Sequence, residues 1–268
     1  MNRQADLFGN PATPGPGSRP AGDPAKAPAK APAGTRARLA FDIELADVIE
    51  LAPGDDLDRH GPFKIACAAA VDERGLVRHW HGSVTRGQPG GHLDAAGAKE
   101  VLLHLRAAQR AGAMVTAWNG LSFDLRWLGH SAGDLGLARE VARELFDPMF
   151  QFFVLKGYPV GLAAVADGMG IAEKKSMHGE DAPKEWARGN HQAVLDYVAG
   201  DCRLTDAVVA RILETGEIRW RTKKGTLSRE ALRRLLPVRD LLHAPEPDVS
   251  WMTTPLPRSK FTAWLDGP

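Results

Sequence analysis

Four acidic residues lie in or beside apolar segments that a folded chain has to bury, and they limit the folds open to it. Asp42 and Glu44 interrupt Leu39-Ala40-Phe41-Asp42-Ile43-Glu44-Leu45. Asp124 closes Trp118-Asn119-Gly120-Leu121-Ser122-Phe123-Asp124, and Asp201 follows Tyr197-Val198-Ala199-Gly200. A lone carboxylate is costly to bury. Four such exceptions in three separated segments suggest that the fold gathers them around one shared cation site.

The pattern along the chain says how. Residues 39–46, 63–72 and 77–82 read as strands, the last two separated by the turn Glu73-Arg74-Gly75. Residues 93–111 read as a helix with Val101, Leu105 and Ala108 on one face and Gly112 as its stop. A short strand is expected at 113–118 and a helix at about 123–130. Helical segments are expected to continue through 137–155 and 162–169. Asn190 is expected to cap a long helix to about Leu213, with Gly216 beyond its end. Three strands before the first helix, then β-α-α-α, suit an α/β domain in which a mixed β-sheet is flanked by helices.

Within such elements the acids fall on shared faces. Residues two apart in a strand project together, so Asp42 and Glu44 share a side while Phe41, Ile43 and Leu45 pack the other. Residues four apart on a helix also share a face, so Tyr197 and Asp201 point the same way. Asp124 follows a glycine-containing turn at the first turn of its helix. Oxygen-only ligands suit Mg²⁺ or Mn²⁺. Two such ions about 4 Å apart stabilise the attacking and leaving oxygens at a phosphorus centre. Without cations, four clustered carboxylates repel one another.

Asp-x-Glu, then Asn-x-x-x-Phe-Asp, then Tyr-x-x-x-Asp resembles the DEDD exonuclease superfamily, which is DnaQ-like with an RNase H-like fold. The tyrosine of the third motif places the resemblance with the DEDDy branch, which includes polymerase proofreading domains and RNase D-like enzymes. In the other branch a histidine stands five residues before the last aspartate, where this chain has Asp196. The resemblance covers roughly residues 38–215. It implies catalytic roles for Asp42, Glu44, Asp124, Tyr197 and Asp201, and two ions, Mg²⁺ or Mn²⁺. Asp42 would bridge both ions, Glu44 and Asp201 would hold the nucleophile-side ion, and Asp124 would support the other. Tyr197 would orient the attacking water. Asn119 and Phe123 would help shape the pocket for the terminal nucleotide. The implied reaction is 3′→5′ hydrolysis at single-stranded 3′ ends, with DNA preferred over RNA.

The remaining signals concern partners and organisation. Residues 1–36, rich in Pro, Ala and Gly, read as a disordered leader that cannot offset its ordering entropy. Residues 37–216 read as the exonuclease domain, and 217–268 as a small C-terminal appendage: a basic hairpin and helix followed by a Pro-rich tail that wraps the surface in extended form. Gln4-Ala5-Asp6-Leu7-Phe8 resembles the short peptide by which bacterial replication and repair proteins grip the sliding clamp. Leu7 and Phe8 would anchor it and Gln4 would add polar specificity. The formal net charge is only +1, so a basic surface has to come from local segregation. Residues 217–239, with eight Lys or Arg against two Glu, are the best local candidate for phosphate contacts. The loop Lys174-Lys175-Ser176-Met177-His178-Gly179 places His178 as a substrate-binding candidate. Cys67 and Cys202, both in apolar stretches, read as reduced core thiols. The absence of a bilayer-length apolar run and of a signal-peptide pattern gives a cytoplasmic protein, with no membrane partner, as the expectation. Two other readings compete: an RNase D-like exoribonuclease, and a non-catalytic nucleic-acid-binding module using the basic hairpin. A third is a clamp-tethered adaptor.

Overall fold

Strand β1, Arg38–Leu45, lies inside a four-stranded sheet of order β3-β2-β1-β6. β2 (Ile65–Asp72) runs antiparallel to β1 and to β3 (Val77–His81). After β3 come the short pair β4 (Ser83–Thr85) and β5 (Gln88–Pro89), which the sequence pattern did not suggest. Helix α1 (Ala95–Arg110) then crosses over, so β6 (Met114–Thr116) joins β1 in parallel. The sheet is therefore mixed and helix-flanked, as the strand and helix order implied. The computed structural model describes residues 36–52, 54–85, 87–172 and 176–267. The expected leader, with Gln4, Leu7 and Phe8, and the Lys174-Lys175 pair lie outside the described residues.

Alternation along β1 divides the molecule. Phe41, Ile43 and Leu45 pack with Val101, Leu102 and Leu105 of α1, with Leu125 and Leu128 of α2 (Asp124–Ala132), and with Ala138 and Val141 of α3 (Leu135–Arg143). On the other face, Ala40 of β1 and Ala66, Cys67, Ala69 and Val71 of β2 meet the helix from His191 to Thr215. Two contacts fix that helix along the sheet. Arg38 forks onto Asp206 at 2.6 and 3.0 Å, and the Cys202 thiol reaches the Ala69 carbonyl at 3.4 Å. The Arg–Asp pair is largely shielded from water, so it fixes register and adds about 1 kcal/mol.

Several expected boundaries move for identifiable reasons. The helical stretch expected through 137–155 divides, because Pro148 lacks the N–H that a helix interior needs but suits its first turn. Asp147 ends the irregular link, and α4 (Pro148–Lys156) begins there. After α5 (Leu162–Gly168) and α6 (Ala182–Ala187), the long helix α7 spans His191–Thr215 and stops at Gly216, whose φ of 69° is left-handed. Asn190 stands at its start but makes no side-chain cap; its amide donates to Glu185 at 2.5 Å instead.

Residues 217–267 do not merely trail over the surface. β7 (Glu217–Arg221) and β8 (Leu227–Ala231) form the expected hairpin, with Ile218 and Trp220 turned inward against α5 and α7. Backbone contact there is close: a Cβ on Gly168 would lie 2.4 Å from the Trp220 Cα. The short helices α8 (Val238–Leu241) and α9 (Ser259–Thr262) send Val238, Leu241 and Phe261 into the main core, and the 3-10 turn Ala263–Leu265 adds Leu265. The tail is thus anchored in the core at these positions, while residues 243–258 run without helix or strand and, apart from Met252, lie at the surface as the expected wrap implied. The ring of Phe261 lies 4.4 Å from that of Phe153 and 5.8 Å from that of Phe150. Burying such a ring contributes about 1.5–3 kcal/mol. Among the described residues no helix is long and apolar enough to cross a membrane.

Candidate metal centre

Asp42 and Glu44 occupy the same side of β1 as Ala40, facing α7. Their cross-strand neighbours on β2 are Ala69 and Cys67. Directly opposed side chains in a sheet crowd one another, so two small residues leave room for two carboxylates. The Ala-rich β2 sequence carries that signal. From the facing helix, Asp201 projects into the same space. One carboxylate oxygen each from Asp42, Glu44 and Asp201 lies within 4.8 Å of the others. Oxygens ligating one divalent cation sit up to about 5 Å apart, so this all-oxygen trio fits a hard cation. Glu44 and Asp201 are each 5% exposed, a depth at which repelling carboxylates call for a counter-ion or a proton.

Asp124, the first residue of α2, is not one of this trio but adjoins it through β1. Its Oδ1 accepts the Ile43 N–H at 3.2 Å, and its carboxyl shares a hydrogen bond with Asp42. Burial pushes the Asp124 carboxyl up to about 7. A proton can therefore stand between Asp42 and Asp124 when no cation neutralises them.

The sequence matches no family model and no curated protein. In structure, the chain is similar to the family B DNA polymerase from the hyperthermophilic archaeon Pyrobaculum calidifontis, at 18% identity and a TM-score of 0.48. The likeness covers 67% of this chain and 25% of the polymerase chain.

Tyr197 stands one helical turn before Asp201 and is buried against the same acids. Burial, then the nearby Glu44, Asp201 and Asp42 carboxylates, push its phenol above the ordinary tyrosine range. The phenol therefore keeps its proton and acts as a hydrogen-bond donor. Cys67 and Cys202 are both buried and free, and burial beside the acids raises their thiols well above the usual range. Such thiols stay protonated and make poor nucleophiles.

Asn119 and Phe123 frame the turn before Asp124. Asn119 has φ 69°, a left-handed conformation that asparagine tolerates, and its side chain accepts from the Ser122 hydroxyl at 2.6 Å. Phe123 is 8% exposed, its ring 6.1 Å from Phe63 and 6.5 Å from Trp127. His178 is exposed in the segment between α5 and α6. Trp186 packs in the cluster that holds Tyr197 and donates its indole N–H to the Gly91 carbonyl at 2.7 Å. A cleft of about 520 Å³ opens just past the end of β1, its walls including Ala46, Lys64, His92, Trp186 and Arg188.

Asp147 is the residue that sequence reasoning missed. It is 1% exposed and accepts backbone N–H groups from Asn119 at 3.2 Å, Leu121 at 3.1 Å and Phe150 at 3.1 Å. One carboxylate thus caps α4 and holds the turn that aims Asp124. The Asp-Pro dipeptide at 147–148 is a helix-start signal that would have found it. Burial outweighs the N–H donors and pushes its carboxyl up to about 6.

Two buried carboxyls with raised values, Asp124 at about 7 and Asp147 at about 6, give a pH dependence with a definite sign. The folded state holds these protons where the unfolded chain has released them, so their contribution to metal-free stability is fully present only below about pH 4. It is lost as pH rises toward 7, by a few kcal/mol in order of magnitude. A divalent cation replaces the proton's charge. Mg²⁺ or Mn²⁺ is expected to raise Tm more at pH 8 than at pH 5, read by thermal melts with and without EDTA. Equal shifts at both pH values would contradict this account.

Proposed function

We propose that this protein is a metal-dependent 3′→5′ exonuclease of the DEDDy type, acting on single-stranded 3′ ends, with DNA preferred. The observation that carries the reading is the convergence of Asp42, Glu44 and Asp201 within 4.8 Å, with Asp124 hydrogen-bonded to the strand that bears the first two. In this reading Asp42, Glu44 and Asp201 would hold the divalent ions, with Asp42 and Asp124 on the side of the second ion. Bound Mg²⁺ or Mn²⁺ would offset charge on the scissile phosphate and lower the pKa of the attacking water.

The chain's own groups do the rest. Tyr197, protonated and beside Asp201, donates toward the attacking water and orients it. The left-handed turn at Asn119 and the ring of Phe123 shape the pocket for the terminal nucleotide. His178 contacts a phosphate of the incoming strand. The catalytic domain spans residues 37–216, preceded by a leader whose Gln4, Leu7 and Phe8 bind a sliding clamp. Such a tether raises the local concentration of enzyme at DNA.

The test uses single-stranded DNA and matched RNA labelled at either end, with Mg²⁺, Mn²⁺ or EDTA. Shortening of DNA from its 3′ end, stopped by EDTA, is the expected result. Shortening of RNA alone would replace the DNA reading by the exoribonuclease one. Tight binding without hydrolysis of either would leave a binding module.

A further inference from the structure

The chain as a whole is almost neutral, at +1, yet residues 217–239 hold eight Lys or Arg and two Glu. The remainder is therefore net acidic, and a local excess of positive charge lies in the β7–β8 hairpin and the residues just after it. Register sharpens the point. Arg219 lies directly opposite Arg229, and Arg221 opposite Leu227, whereas Ile218 and Trp220 occupy the alternate, inward positions. Arg219, Arg221 and Arg229 thus share the outer face. Like charges directly opposed in a sheet are destabilising unless they are met by opposite charge.

Acidic neighbours answer part of this charge. Arg219 pairs with Glu217, Arg221 with Asp167 at 2.7 Å, and Arg239 with Glu144. Lys224, Arg229, Arg233 and Arg234 are exposed and, among the described residues, lie in none of the ion pairs seen around the hairpin. The platform beneath is rigid: Ile218 is 0% and Trp220 5% exposed, and the backbone at Trp220 rests on Gly168. Several exposed guanidinium and ammonium groups on and just after one hairpin suit a polyanion.

We propose that the β7–β8 hairpin is a second nucleic-acid-binding surface, holding the phosphate backbone of a strand well upstream of the metal centre. α7 sets the separation. Asp201 and the C-terminal end of α7 at Thr215 lie fourteen residues apart on one continuous helix, or about 20 Å at the α-helical rise. That span corresponds to about six nucleotides of stacked strand. The 3′ end assigned to the acids rests on the proposed exonuclease reading; the binding surface itself does not. A short oligonucleotide engages only the acid site, and a longer one reaches both.

The test is binding of 5′-labelled single-stranded DNA by fluorescence anisotropy with Ca²⁺, which takes oxygen ligands and offsets the charge of the acids, at several salt concentrations, with the full chain. The variant carries Lys224→Gln, Arg229→Gln, Arg233→Gln and Arg234→Gln together. An oligonucleotide of about 20 nucleotides is expected to bind about 10-fold more weakly or worse, and its salt slope to fall by about 3, at about 0.7 per lost phosphate contact. One of about 4 nucleotides is expected to bind as before. Lys224→Gln alone, in the turn where no packing is lost, is expected to lower the slope by about 0.7, which keeps the test intact should the multiple variant fold poorly. Unchanged affinity and slope for the long oligonucleotide in both variants would overturn the proposal. Hairpin-dependent binding in a protein that hydrolyses nothing would sink the exonuclease reading and leave the surface standing. Hydrolysis with hairpin-independent binding would do the reverse.

Discussion

Asp42→Ala is expected to reduce metal-dependent hydrolysis by at least about 10³-fold while leaving the protein folded. Asp42 lies between the acids of two elements: its carboxylate is within 4.8 Å of Glu44 and Asp201, and it shares a hydrogen bond with Asp124. Its removal takes an oxygen ligand from both proposed ions. Folding should not suffer, because two terms of about 1 kcal/mol oppose each other: one hydrogen bond is lost and one repelling charge is relieved. Metal-free Tm is expected to stay level or rise, and the Mg²⁺-dependent increase in Tm to disappear. A purified Asp42→Ala protein that still shortens DNA from the 3′ end at the wild-type rate would remove the mechanism.

Asp147→Ala is expected to have the largest effect on stability of any single change near the site. It removes the acceptor for the N–H groups of Asn119, Leu121 and Phe150 in a place water does not reach. One lost helix cap and two buried unsatisfied donors cost about 3–5 kcal/mol together. At the size of this domain that lowers Tm by about 10 °C. The turn before Asp124 loses its anchor, so the Mg²⁺ titration midpoint should also rise. Asp147→Asn keeps one acceptor oxygen and is expected to fall between the two. A Tm within about 2 °C of wild type for Asp147→Ala would show that the turn does not depend on this carboxylate.

The contrast between these two aspartates shows what the sequence discloses. Asp42 was legible because it interrupts an apolar strand, and two-residue alternation assigns it and Glu44 to one side. Tyr197 and Asp201 were legible by the same logic at helical spacing. The mixed sheet and its flanking helices followed from the order of apolar segments. Asp147 was passed over because the apolar residues on both sides of it resemble one continuous helix, and only the proline after it betrays the break. The core anchors of the tail were harder still. Phe261 owes its position to Phe150 and Phe153, more than a hundred residues earlier, and no local pattern encodes a partner that distant. The room made by Ala69 and Cys67 beside the acids likewise depends on strand register, which becomes known only once β1 and β2 are paired.

The tail has a consequence for how the protein is made. Val238, Leu241, Phe261 and Leu265 all belong to the core that supports β1 and the helices around it. During synthesis at about 5–20 residues per second, the strand bearing Asp42 and Glu44 leaves the ribosome well before the aromatic ring that completes the packing behind it. The nascent chain therefore carries an open apolar seam until residue 265 is free, and closure of the core coincides with release of that segment. A ribosome paused a few tens of codons short of residue 265 would display every proposed catalytic residue on a fold still missing its final wedge.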